Sequence, residues 1–306
     1  MIDIVGRRYL YFLISAVVIL PGLIGLLVWG PPEAAIDFTG GNLLEVRFEP
    51  GMRPQPAAVV TLAEDAGISE ALVQTAGDTD LVLRTKPLAA DQRAALLSLL
   101  EETADGGLTI LRDEQVGPSI GAEVGQRAVG AVALAVLGIL AYITYAFRGV
   151  AHAVRYGVAA ILAMLHDVAV VISIQVLLAH FLGWEVDSLF LTALLTVIGF
   201  SVHDSIVVFD RIRENQKTLR RLPYDVLVNH SIVQTLGRSI NTQLTVALVL
   251  LSLLLFGGVT MQHFVTILLI GVLSGTYSSI FNAAPILVVW ENREWKTWFR
   301  RRPSRA

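Results

Sequence analysis

Six stretches of this 306-residue chain are long and apolar enough to demand a solvent other than water. A helix needs about 18–20 apolar residues to cross a hydrocarbon core roughly 30 Å thick. Such runs cover Tyr9–Trp29, Gln126–Phe147, Val154–Leu182, Ser188–Phe209, Thr242–Gly257 and Gln262–Trp290. The first is too long and aromatic for a signal-peptide core, and no small-x-small site follows it, so it reads as a retained anchor. The last is long enough for one tilted span, although length alone does not fix tilt.

Charge gives the orientation. Residues 31–125 hold six Lys and Arg against sixteen Asp and Glu, whereas the rest of the chain is net basic. The basic residues gather at Arg7 and Arg8, at Arg148 and Arg155, from Arg211 to Arg221, and from Arg293 to Arg305. These clusters fall on one side of a six-span arrangement, which the positive-inside bias makes cytoplasmic together with both termini. The expectation is a multi-pass protein of a bacterial cytoplasmic (inner) membrane, with residues 31–125 on the far side. Residues 1–30 would form the cytoplasmic N-terminus and first span, 126–290 a five-helix bundle, and 291–306 a basic tail in which Arg300–Arg305 can meet anionic lipid. The chain has no cysteine, so neither disulfides nor zinc–thiolate sites enter.

Within the acidic insert, strand and helix signals alternate. Leu43–Phe48 reads as a strand, Pro56–Ala66 as a helix, and Ala71–Ala76 with Leu81–Thr85 as a hairpin around Gly77-Asp78-Thr79-Asp80. Ala89–Thr103 reads as a second helix and Leu108–Arg112 as a last strand. The order β-α-β-β-α-β is the split-βαβ, ferredoxin-like arrangement. The expected fold class is thus an α-helical membrane protein with six transmembrane helices and one extracytoplasmic α+β ferredoxin-like domain. That domain lacks histidine and any nucleophile motif, so a docking role is expected rather than an enzymatic one.

Ionisable residues inside spans are expensive and mark function by default. The third span carries His166-Asp167 about a dozen residues in, near the midplane, and the fourth carries His203-Asp204 with Ser201 one turn before. The fifth opens with Arg238, Asn241, Thr242 and Thr245 on one helical face. Burial favours the neutral form of a carboxyl and a nearby arginine the charged form. Two membrane carboxylates and an arginine can therefore relay a proton, or hold Na⁺ with hydroxyl and backbone oxygens; they can equally form a static ion pair that keeps helices in register. His166 and His203 read as helpers to their adjacent carboxylates, and no resident metal is expected. Gly130, Ala131, Ala135 and Gly138, and the Gly271–Gly275 GxxxG pair, suit close helix packing.

Five blocks in order, IDFTGG (Ile36–Gly41), VGPSIGAEV (Val116–Val124), HDV, VIGFSVHDSIVVFDRIREN (Val197–Asn215) and TLGRSINTQLT (Thr235–Thr245), resemble the SecD/SecF family of bacterial protein-translocase subunits, within the resistance–nodulation–division superfamily. The resemblance implies use of a proton or sodium gradient, with no other cofactor, to assist export of unfolded preproteins through the Sec pathway. It places the family's fourth-span aspartate at Asp204, its fifth-span arginine at Arg238 and the third-span aspartate at Asp167. Phe200 and His203 depart from the more usual Gly-Tyr-Ser-x-Asn-Asp, which leaves the coupling ion open. Six spans are half of a twelve-span transporter, so the implied partners are SecD and the SecYEG channel, with YajC and YidC beyond them, and no nucleic acid. No P-loop is present, so ATP hydrolysis is not expected of this chain. A passive scaffold for SecD and the channel is the alternative; a small-molecule exporter would need a larger outer domain.

Overall fold

The computed structural model describes residues 2–68, 71–104, 107–148, 153–257 and 259–296; the basic stretch Arg300–Arg305 lies outside them. Two compact units result, one of residues 1–33 with 131–306 and one of residues 34–130.

The first unit opens with a short 3-10 turn, Val5–Arg7, and helix α1, Arg8–Val28. Asn229, far along the chain, fixes this start: its Oδ1 accepts from the amides of Ile4 (2.8 Å) and Val5 (3.1 Å), and its Nδ2 donates to Ile2 O. α1 contains Pro21, which has no amide to give the helical ladder. The Ser173 hydroxyl sits at this weak point, donating to Val18 O and Ile19 O and accepting from the Gly22 amide at 3.0 Å. A side chain at residue 22 would occupy the place of the Ser173 backbone, so the glycine is what admits the neighbouring helix.

In the second unit, a one-turn helix α2 (Ile36–Thr39) leads into strand β1 (Gly41–Phe48), helix α3 (Pro56–Asp65), strands β2 (Leu72–Ala76) and β3 (Asp80–Thr85), helix α4 (Ala90–Thr103) and strand β4 (Leu108–Val116). The sheet order is β2-β3-β1-β4, every neighbouring pair antiparallel. The observed elements lie within a few residues of the expected ones, except that β4 runs on to Val116. Val46, Phe48, Val59, Ala63, Leu81, Leu83, Leu96 and Leu100 form its core, with the inward residues of α3 and α4 closing over the sheet. A bulge between Glu45 and Val46 shifts the β1–β4 register.

Two of the glycine-bearing sequence blocks meet in this unit. Gly40 and Gly41 have φ of 75° and 142°, and a Cβ on Gly40 would come within 2.7 Å of the Pro118 backbone. A Cβ on Gly121 would come within 2.7 Å of Gly40 N and 3.0 Å of Phe38 O. The Gly-Gly and Pro-Ser-Ile-Gly steps are therefore two sides of one close backbone approach.

Helix α5 (Pro118–Ala146) runs from the second unit into the first, followed by α6 (Ala153–Leu182), α7 (Ser188–Thr218), α8 (Tyr224–Phe256) and α9 (Val259–Ser278). A π-turn, Ser279–Ala283, then leads to α10 (Ala284–Glu291). The interruption falls just before Pro285, whose missing amide and ring break the α-ladder one turn back. Counting the last three pieces as one, six helices among the described residues are long and apolar enough to cross a membrane. They differ sharply in burial: half of the most apolar window of α7 is buried within the chain, but only 6% of that of α5. Gly130 and Gly138 of α5 accordingly face open space, whereas Gly271 and Gly275 of α9 lie against Val197 and Ser201 of α7. α7 is the centre of the unit, with Val197, Val208, Phe209 and Ile212 fully enclosed. Near its end Asn215, in the block Phe209–Asn215, donates to Ser231 Oγ (2.8 Å) and Gln234 Oε1 (2.9 Å), tying α7 to α8.

Candidate functional site

Halfway along α6, the Asp167 carboxylate is fully buried. Its Oδ1 accepts from Ser274 Oγ at 2.7 Å and lies 3.0 Å from His166 Nδ1; its Oδ2 accepts from Ser278 Oγ at 2.6 Å. Ser274 and Ser278 are one turn apart on α9, so a single helix face supplies both hydroxyls. The small residue between them, Gly275, eases the approach of α9 to the α7 backbone. A Cβ there would lie 3.7 Å from Asp167 Oδ2 and 3.3 Å from the Ser201 backbone. The other ring nitrogen of His166, Nε2, is buried with no hydrogen-bond partner among the described residues.

Asp204 sits midway along α7 and is 5% exposed. Its Oδ2 accepts from Gln243 Nε2 on α8. Around this contact the polar atoms are under-satisfied. Ser201 Oγ, Ser239 Oγ and Gln243 Oε1 are all buried without a hydrogen-bond partner among the described residues. Such groups each carry a desolvation cost and are the usual places for water or a small cation to enter. Asp167 lies within electrostatic reach of Asp204, and Gly275 adjoins both the Ser201 backbone and the Asp167 carboxylate, so the two acids belong to one polar core beside α9.

The remaining expected residues take a different place. Arg238, Asn241, Thr242 and Thr245 do share one face of α8, but that face is exposed. Arg238 has no hydrogen bond or ion pair among the described residues, so the arginine–aspartate pair is not made among them; the partner of Asp204 is Gln243. The buried face of α8 is instead Thr235, Ser239 and Gln243, spaced by four. His203 points outward from α7, exposed, while Ser201 points in. Sequence reasoning thus found both carboxylates and missed three of their partners: Gln243, Ser274 and Ser278. The signal for the serines was their i, i+4 spacing around Gly275; for Gln243 it was a polar residue four positions past Ser239.

A pair of buried, differently partnered carboxylates at mid-helix can bind and release a proton or a small cation, provided that water reaches them. Asp167 has its oxygens filled by hydroxyl donors. Asp204 has one amide donor and unfilled neighbours, and is the more available of the two.

Comparison with known proteins places these features in a family. The profile described as "Protein export membrane protein SecD/SecF, C-terminal" matches residues 96–293. A protein translocase subunit SecF from Anaerolinea thermophila is 54% identical over 302 residues, covering 98% of both chains. Another, from Thermobaculum terrenum, is 46% identical over 100% of this chain and 99% of that one. The crystal structure of SecDF from Thermus thermophilus, a translocon-associated membrane protein, superposes with a TM-score of 0.81 at 36% identity. The match covers 95% of this chain but 39% of that fused protein.

Proposed function

Since this chain belongs to the SecD/SecF family of protein export membrane proteins, we propose that it is the SecF-type half of a gradient-driven accessory to preprotein export. It is a multi-pass membrane protein with six spans. In this reading protons, or sodium ions, pass by Asp204, and the resulting change of partners moves the α+β unit, a ferredoxin-like domain on the extracytoplasmic side, against emerging unfolded polypeptide.

The observation that carries the reading is the state of Asp204. It is buried, held by one neutral amide, and ringed by the unpartnered Ser201 Oγ, Ser239 Oγ and Gln243 Oε1. A purely structural carboxylate would have its oxygens filled by donors and its polar neighbours paired, since an unfilled buried polar group costs about 1–3 kcal/mol. The outward Arg238, Asn241 and Thr242 support a second element of the proposal, a homologous SecD-type subunit against α8. A lone arginine on a lipid-facing surface is costly, whereas at a subunit boundary it finds its counter-charge. The fused SecDF relatives, in which the matching segment is one part of a longer chain, fit this pairing. Action beside the SecYEG channel is part of the same proposal. For Asp167 the filled hydrogen bonds favour a second role, holding α6 to α9.

The test is reconstitution of the chain with its SecD-type partner in vesicles containing the translocation channel. Release of a secretory polypeptide is measured under an imposed proton or sodium gradient, for wild type and Asp204→Asn. Gradient-dependent release that the variant loses while still assembling supports coupling through Asp204. Release indifferent to both gradients, or a variant equal to wild type, leaves the passive scaffold as the better account.

A further inference from the structure

Four helix ends of the membrane unit surround a half-open cavity of about 410 Å³ that the polar core does not use. Arg155 and Tyr156 come from the start of α6, Gln216 from the end of α7, and Arg220 from the link beyond it. Tyr224 opens α8, and Glu291 closes α10. Leu227 and Leu287 line the apolar side.

The charges are unequal. Arg155 pairs with Glu291 across the cavity. Arg220 is exposed and has no ion pair among the described residues, so one positive charge is left over. The Tyr156 ring is packed between Phe147 and Phe209, and the residue is 2% exposed. Its hydroxyl is buried without a hydrogen-bond partner among the described residues; Gln216 and Tyr224 bear on it, yet neither completes a bond of standard geometry. A buried phenol that has no acceptor, next to a surplus guanidinium, is a donor set lacking its acceptor.

The geometry points to this cavity as a binding site for the phosphodiester headgroup of an anionic glycerophospholipid. One surplus positive charge matches one phosphodiester charge. Arg220 and Arg155 supply charged donors, and the Tyr156 hydroxyl supplies a neutral one at the cavity wall, reached by a phosphate oxygen where the Gln216 and Tyr224 side chains that bear on it give way. The volume accommodates a headgroup, with the leucines meeting the first carbons of the lipid. The location supplies the ligand: the cavity lies where four membrane-spanning helices end, at the depth where headgroups are concentrated and where basic pockets between helices recruit them. The site rests on these helices crossing a bilayer and is independent of ion coupling at Asp204.

Native mass spectrometry of the full chain, purified from membranes containing phosphatidylglycerol and cardiolipin, reads the site directly. Wild type should retain one anionic phospholipid against phosphatidylcholine exchange. Arg220→Gln and Tyr156→Phe should each lower retention several-fold, and together abolish it. Arg148→Gln makes the same charge change at a helix end on the same side but outside the cavity, and should retain lipid like wild type. Arg155→Gln is left out because it also breaks the Glu291 pair. Equal retention in wild type and the double variant overturns the proposal, as does equal loss in Arg148→Gln, which would mean general surface charge. Displacement of the lipid by millimolar inorganic phosphate would overturn the lipid as the occupant and assign the cavity to a free phosphate anion. None of these readouts depends on export, so a failure here leaves the coupling role of Asp204 standing, and the reverse.

Discussion

Gln243 donates its side-chain amide to Asp204 across the α7–α8 interface, and its own carbonyl oxygen remains buried without a partner. One side chain thus holds the carboxylate and at the same time presents an unfilled acceptor beside it. A cation or a hydronium-bearing water entering here meets two oxygens of different charge. A neutral amide can hold either protonation state of a carboxyl, by exchanging which of its atoms faces it, whereas an arginine would hold only the charged one.

Replacement of Gln243 by Leu keeps the volume and removes both functions. The hydrogen bond to a charged group is worth about 1.5–3 kcal/mol. The expected result is export release that loses most of its gradient dependence, with assembly retained, and a lowered unfolding midpoint in detergent. Gln243→Glu should restore the volume and polarity without the amide donor, and so rescue stability less than wild type. A Leu variant with full gradient-dependent release would remove Gln243 from the ion site.

Tight packing at α7–α9 makes a second expectation. A methyl at Gly271 would overlap the Val197 side chain, which is β-branched and has few rotamers to retreat into. Gly271→Ala should destabilise by about 1–3 kcal/mol, the usual cost of overpacking. Val197→Ala in the same chain should recover part of that loss, because it empties the space the new methyl needs. Non-additive unfolding midpoints in this double-mutant cycle would confirm the contact; strict additivity would refute it.

Ser274 and Ser278 can be tested as a pair. Each alanine leaves one Asp167 oxygen without its hydroxyl donor, at about 1–3 kcal/mol apiece. Because both donors serve one carboxylate, the double variant should lose more stability than Asp167→Asn with both serines intact. The comparison is by thermal unfolding in detergent. Double-variant stability equal to wild type would mean that the hydroxyls do not hold the carboxylate.

The α+β unit should show two opposed pH effects. Hydrogen bonds from Arg47, with Thr79 adding a hydroxyl donor, hold the Asp80 carboxyl below the ordinary aspartate range. A depressed folded value means stability that is complete above the unfolded value near 4 and is lost as pH falls through the folded one. Burial pushes Glu45 the other way, above the ordinary glutamate range, only partly offset by Arg112. Its folded form binds the proton more tightly, so stability rises as pH falls through that raised value. Opening free energies of β1 amides, from hydrogen exchange corrected for intrinsic rates, should therefore climb and then drop on acidification from pH 7. Glu45→Gln should flatten the climb and Asp80→Asn the drop. Wild-type behaviour in both variants would sink the assignment.

How much of this was readable beforehand varied with the physics behind each signal. The six spans and both buried aspartates were legible, because the cost of polar groups in hydrocarbon writes itself into composition. So were the strands of the α+β unit, where alternation and turn residues agree. The helix ends were not: α5 begins at Pro118, α7 continues to Thr218 and α8 begins at Tyr224, all beyond the apolar runs. Hydropathy reports the hydrocarbon around a helix, and these ends lie beyond it, among headgroups and water. The choice of face on α8 also failed to declare itself. A polar stripe at Arg238, Asn241 and Thr242 and another at Ser239 and Gln243 have the same periodicity, and only packing against α7 decides which one is inside. The break at Ser279–Ala283 was foreshadowed by Pro285 alone.

The hydroxyl of Ser173 that mends α1 at Pro21 also sets an order of events. The Gly22 amide and its acceptor are 151 residues apart in sequence, so when the first helix leaves the ribosome its mending group has not yet been synthesised. Until the third span arrives, the Gly22 amide and the Val18 and Ile19 carbonyls have only one another or water to bond. Biogenesis of this protein therefore has a built-in wait: the first helix to be made is completed only by a later one.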